Sequence, residues 1–196
     1  MEKENKKKTK IGMLVSIGVV AVAIIATSTI MIKENNIKKA YEAKKIYIEK
    51  ISTYKDRINL EIPNIKVNSE EEYIQITTKI NDYQALLDEA STFLNESIAP
   101  DGCEGLQTAT RKLIVQGESL KNTIKDFQQN NHEIDLLLKN GKFDTLESQS
   151  NVIEKLAKLE EQSSGIKNEL EDLSKSTQRV NEEYNKIKES LEESAE

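Results

Sequence analysis

The chain has 196 residues, 37% of them hydrophobic and 32% charged, with 7 Gly, 2 Pro, 1 Cys, 1 His and no Trp. So few turn formers exclude an all-β fold, a lone Cys excludes an intramolecular disulfide or a multi-Cys metal centre, and a lone His excludes any site built on two imidazoles. The formal charge of −6 is unevenly spread, with 13 Lys+Arg against 6 Asp+Glu in residues 1–60 and 15 against 28 beyond them. An acidic body repels phosphates, so no nucleic acid is expected as a partner, whereas a basic N-terminal region suits an anionic membrane surface.

Residues 1–10 form a Lys-rich tail, and Ile11 to Ile32 follow without a single charge over 22 residues. At ~1.5 Å per residue such a helix is ~33 Å long, enough for the ~30 Å hydrocarbon core. Gly12, Gly18, Ser28 and many β-branched residues make it a poor helix in water and an ordinary one in lipid. The segment therefore predicts a transmembrane helix over 11–32 with the bilayer as partner. Ala26-Thr27-Ser28 is a small-x-small site, so a cleaved signal peptide is the alternative. The apolar run continues through Ile30, Met31 and Ile32, longer than a usual signal core, and this favours an uncleaved signal-anchor. Lys/Arg numbers nearly tie across the segment, but Lys6, Lys7, Lys8 and Lys10 crowd its N-terminal side. The expected orientation places 1–10 in the cytoplasm and 33–196 outside. Gly12, Ser16, Ala23 and Ala26 share a face that would permit close contact with another membrane helix.

Four helical patterns come next. Over 33–60, Tyr47, Ile51, Tyr54 and Ile58 step by 4, 3 and 4, with Ile37, Tyr41 and Ile48 widening the apolar side, and Pro63 ends the run. A second begins at Ser69, in capping-box spacing to Glu72, with Tyr73, Ile76, Ile80, Tyr83, Leu87, Ala90 and Leu94 on one side and Pro100-Asp101-Gly102 as its stop. A third starts near Glu104 and carries Leu106, Thr110, Leu113, Gly117, Leu120, Ile124, Phe127, Asn131, Ile134 and Leu138. Asn130-Asn131-His132 is a candidate break within it, and Asn140-Gly141 is its stop. The fourth starts at Asp144, in capping-box spacing to Glu147. It holds one register through Val152, Leu156, Leu159, Ser163, Ile166, Leu170, Leu173, Thr177, Val180, Tyr184, Ile187 and Leu191, with a weak place at Ser163-Ser164-Gly165.

Amphipathic helices are marginal alone, and short links make neighbours antiparallel. The expected fold is all-α: an N-terminal transmembrane helix followed by an elongated antiparallel helical bundle or coiled coil of about four helices over 33–196. The last helix is the longest and should overhang its partners, so an exposed seam of Val180, Tyr184, Ile187 and Leu191 would favour a second subunit. Tyr73, Tyr83 and Tyr184 read as core. Thr110, Asn131, Ser163 and Thr177 read as polar positions that fix register rather than as a ligand pocket.

No catalytic, cofactor-binding or metal motif stands in the chain. Cys103, in the loop before the third helix, fits an inert thiol, an intermolecular disulfide, or a nucleophile or metal ligand; no second Cys or neighbouring His supports the last. His132 reads as solvated rather than pH-sensing. The acids Glu182-Glu183, Glu192-Glu193 and Glu196 lack the loop of a calcium site. The expected function is that of a non-enzymatic, single-pass cell-membrane protein, a scaffold, spacer or adaptor acting through helix–helix contacts with a protein partner or in a homo-oligomer. It has no cofactor and no identified small-molecule substrate. Alternatives are an extracytoplasmic sensory bundle signalling through a membrane partner, and a secreted effector if cleavage follows Ser28.

Overall fold

Each helix starts and stops where its backbone groups find, or lack, a partner. The computed structural model describes residues 35–63, 70–139 and 145–194. They form α1 (residues 35–60), α2 (Glu70–Glu96), α3 (Glu104–Lys139) and α4 (Leu146–Glu193), with no strand among the described residues. The transmembrane helix expected over 11–32 and the Ser69 cap lie outside the described residues. Among the described residues no helix is long and apolar enough to cross a membrane. The chain divides into two units, Met1–Ala43 and Lys44–Glu196. In the first, residues 35–43 are the opening turns of α1, largely exposed. The second unit carries everything described below.

Pro63 cannot donate to the last turn of α1, leaving late carbonyls without helical partners. Tyr83 on α2 supplies one, its hydroxyl donating to the Ile58 carbonyl at 3.0 Å. The end of α2 is closed in the same manner. Its last turn has no basic residue, but Arg111 on α3 donates to the Leu94 carbonyl at 2.8 Å and to Asn95 Oδ1 at 2.7 Å, and Gln107 Nε2 reaches the same carbonyl at 3.2 Å. A cation thus sits at the negative end of α2 although it belongs to the next helix. Between them the chain turns through Pro100–Cys103, where the Cys103 amide donates to the Pro100 carbonyl at 2.9 Å and Gly102 takes a φ of +79° that only glycine adopts without strain. At the start of α4 the cap is Thr145, one residue later than the expected Asp144, which lies outside the described residues. Thr145 Oγ1 accepts from the Ser148 amide at 3.2 Å.

Cross-helix contacts fix an antiparallel order in which each neighbour runs opposite to the last. Tyr54 Oη donates to Glu89 Oε1 at 2.9 Å between α1 and α2. Lys121 meets Gln84 between α3 and α2. Ser119 donates to Glu169 at 2.6 Å and Lys155 pairs with Glu133 at 2.5 Å between α3 and α4. Thr177 donates to Asn59 at 2.9 Å and Lys55 to Asn181 at 2.7 Å, closing α4 onto α1. The all-α helical bundle expected from the periodicity is therefore the observed architecture.

The core is a filled seam of Ile51, Ile58, Tyr83, Leu86, Leu87, Leu94, Leu106, Leu113, Leu120, Ile124, Leu173 and Val180, all buried. Tyr47 and Tyr54 each lie 5.6 Å from the Phe93 ring. Two expectations are corrected. α3 runs unbroken through the candidate break at Asn130-Asn131-His132, while α4 stays helical across its weak place at Ser163-Ser164-Gly165. The C-terminal seam of α4 is not bare: Val180, Ile187 and Leu191 are buried. The antiparallel register set by Asn59–Thr177 and Lys55–Asn181 runs the turns of α1 just before Lys55, with Tyr47, Ile48 and Ile51 buried, alongside this part of α4. What lacks cover is the other end. α1 stops near the middle of α2, α3 and α4, and beyond that point the bundle has three helices.

That termination also explains a shift within α3. Up to Ile124 the buried row is the expected one. Beyond it Ile134 stays buried as expected, but Phe127 and Asn131 are only half-buried and Leu138 is exposed, while Gln128 and Asn130 are buried. The Phe127, Asn131 and Leu138 face points where α1 no longer runs, whereas Asn130 is covered by α4, its Nδ2 donating to the Lys155 carbonyl at 3.1 Å.

Candidate functional site

Cys103 is fully buried at the turn between α2 and α3. Burial pushes its thiol up from the ordinary value, with Glu104 adding to the effect and Lys44 opposing it. A buried thiol held in its neutral form is a poor nucleophile and cannot reach a second chain. The inert reading fits this geometry, and the intermolecular-disulfide reading does not. Tyr47 packs on the same end. Burial raises its phenol first and Cys103 second. Its hydroxyl lies near Gln107, whose Nε2 donates to the Leu94 carbonyl at 3.2 Å.

His132 is half-buried on α3 and stacks on Tyr73 of α2, with centroids 4.0 Å apart and planes at 9°. The contact joins two helices, so both residues act as packing. Of the polar seam positions, Thr110 is buried and returns its hydroxyl to the Leu106 carbonyl at 2.7 Å. Thr177 bridges to α1 as a register residue should, Asn131 is half-buried, and Ser163 is exposed. Sequence reasoning missed Gln128, Asn130 and Ser176 as buried polar residues, because their positions fall off the apolar stripe. Between α3 and α4 a shallow groove is lined by Asp126, Asn130, Glu133, Glu154, Lys155 and Lys158. Its charges are mixed, and Lys155 and Glu133 pair within it. Lys155 and then Gln129 hold the Glu133 carboxyl below the usual range. Among the described residues no group of three or more His, Cys, Asp or Glu is placed to hold a metal ion.

The feature that remains is a surface. In the N-terminal half of α4, Leu146 is 87% exposed, Ile153 67%, Leu156 51% and Leu170 36%. These residues lie on two adjacent rows of one helix face, with Ser163, Glu160 and Lys167 between them, all exposed. Scattered surface leucines need no explanation; here four large aliphatic residues share one stripe of a single helix. Among the described residues the geometry is that of an antiparallel all-α bundle with a buried apolar seam and a bare apolar stripe on α4. No protein-family model matches the chain, and comparison with curated proteins and with solved structures likewise finds no match.

Proposed function

We propose that the chain is a membrane-tethered, non-enzymatic helical adaptor that works outside the membrane through helix–helix contact. The observation that carries this reading is the uncharged stretch from Ile11 to Ile32 placed directly ahead of a helical bundle whose interior is filled by its own side chains. Among the described residues the seam between the helices is occupied by large buried side chains, which favours recognition on the outer faces. There the bare stripe of α4 offers what an amphipathic partner helix would bury. The finer features belong to the same proposal: a single-pass signal-anchor with residues 1–10 inside and 33–196 outside.

The native thiol cannot report topology, because it is buried. An exposed position on α3 can, and Asn122→Cys supplies it. In intact cells a membrane-impermeant maleimide is expected to label Asn122→Cys, while the wild-type chain stays unlabelled until denatured. Labelling of the variant only after lysis would overturn the outside placement. Recovery of the chain in the soluble fraction after carbonate extraction would overturn the tether.

A further inference from the structure

One stripe of α4 meets two environments. In the C-terminal half, Thr177 and Asn181 contact α1 through Asn59 and Lys55. Steps of seven residues back from Thr177 give Leu170, Ser163 and Leu156. The same steps from Asn181 give Ser174, Lys167, Glu160, Ile153 and Leu146. The two rows that hold α1 thus continue, with more apolar residues, into the half that α1 does not reach. A stripe that is a helix-binding seam over one half keeps that geometry over the other, and its bare half is shaped for another helix.

We propose that the occupant is the same stripe of a second copy of this chain, docked antiparallel with the two-fold axis near Ser163. This deepens the adaptor reading and rests on it. Charge selects both the occupant and the direction. Glu160 and Lys167 stand on one row, on either side of the axis. An antiparallel copy brings Lys167 of each chain within about a turn of Glu160 of the other. A parallel, in-register copy would set Glu160 against Glu160 and Lys167 against Lys167, which is repulsive. Two of the four apolar positions obey the same symmetry. Leu156 and Leu170 lie seven residues before and after Ser163, so antiparallel pairing sets Leu156 of one copy against Leu170 of the other, and the small Ser163 side chain allows close approach at the crossing. One patch that complements itself is the requirement of a two-fold dimer.

The test uses the full-length chain in detergent micelles. Sedimentation equilibrium is expected to show a monomer–dimer equilibrium with a Kd on the order of micromolar, given a single helix face of modest area. The double substitution L156S/L170S should abolish the dimer and leave the helical content unchanged, since both positions are solvent-exposed in the monomer. Lys167→Glu should weaken dimerisation about tenfold by placing acids opposite each other twice. Glu160→Lys combined with Lys167→Glu should restore it to within about twofold. When Leu156→Cys and Leu170→Cys chains are mixed and mildly oxidised, the linked peptides should join position 156 to position 170, with Cys103 unreactive in the core. A chain monomeric at hundreds of micromolar, a dimer indifferent to L156S/L170S, a double charge swap no better than the single one, or linkage mainly of 156 to 156 would each overturn the proposal. A monomer that still labels from outside the cell overturns only the dimer. A dimer that fails the maleimide and carbonate tests overturns only the tether.

Discussion

Two glycines inside long helices should respond oppositely to the same substitution. Alanine is preferred over glycine in a helix interior by ~0.8–1.0 kcal/mol, so Gly→Ala stabilises wherever the methyl has room. At Gly165 it has room: an added Cβ would lie 3.6 Å from Thr123 Cγ2, an ordinary contact. At Gly117 the Cβ would lie 2.8 Å from Leu87 Cδ2 and 3.2 Å from Tyr83 Oη. Both neighbours are fully buried, and the Tyr83 hydroxyl is fixed on the Ile58 carbonyl. Overpacking of this kind costs ~1–3 kcal/mol, which exceeds the propensity gain and leaves a net loss of ~1 kcal/mol. Gly165→Ala should gain ~0.5–1 kcal/mol. With a urea slope of ~2 kcal/mol/M the two midpoints should stand nearly 1 M apart, on opposite sides of the wild type, by circular dichroism at 222 nm. Coupling provides the sharper check. In a Leu87→Ala background, itself ~2–5 kcal/mol less stable, the obstructing methyl is gone and Gly117→Ala should turn stabilising. A Gly117→Ala chain as stable as Gly165→Ala, or unchanged in its effect by Leu87→Ala, would refute the claim that α2 and α3 touch at this glycine.

Tyr83→Phe keeps the ring and removes the donor to Ile58, stranding a buried carbonyl at the end of α1; it should lower stability by ~1–2 kcal/mol in the same urea assay. Leu87→Asp puts a carboxylate into the fully buried seam and should abolish the cooperative transition, with loss of helical signal at 222 nm. Acid should weaken the bundle. Glu89 is held below the usual carboxylate range by the Tyr54 hydroxyl first and then by Lys50 and Arg57, and Glu133 by Lys155. Because the folded values are the lower ones, this stability is complete above the unfolded value of ~4.3 and is lost as pH falls through the folded values. Both side chains are nearly half exposed, at 49% and 42%, so the combined effect should be ~1 kcal/mol or less. Glu89→Gln should flatten the fall of the urea midpoint between about pH 5 and pH 3.

The helices were legible because each carries a long 3-and-4 pattern between strong stops. Pro63 and the Pro100-Asp101-Gly102 turn placed two boundaries well. Burial along each stripe was legible only where all four helices run together. Leu156 and Leu170 read as core because they share a register with Leu173 and Val180. Periodicity says which residues face one way, but not whether another helix is present there. The length of α1 decided that, through a proline whose effect on the distant half of α4 no local pattern records. The same gap produced the wrong overhang. Ile187 and Leu191 were expected bare because α4 is the longest helix and should overhang its partners, and their cover depends on an interhelical register set by Asn59–Thr177 and Lys55–Asn181. Cys103 was placed correctly in its turn, yet its burial beneath Tyr47 comes from long-range packing that no short motif displays.

The early end of α1 also makes α4 a single helix with two strengths. Its C-terminal amides sit where opening requires tearing α1 away together with α3. Its N-terminal amides sit where only α3 must let go, so solvent deuterium should enter the turns around Leu156 well before those around Val180, although no break in the helix separates them. The half that exchanges first is the half carrying the bare leucines. A companion bound there would even out the gradient, writing its presence into the exchange rates of a helix it touches on one side only.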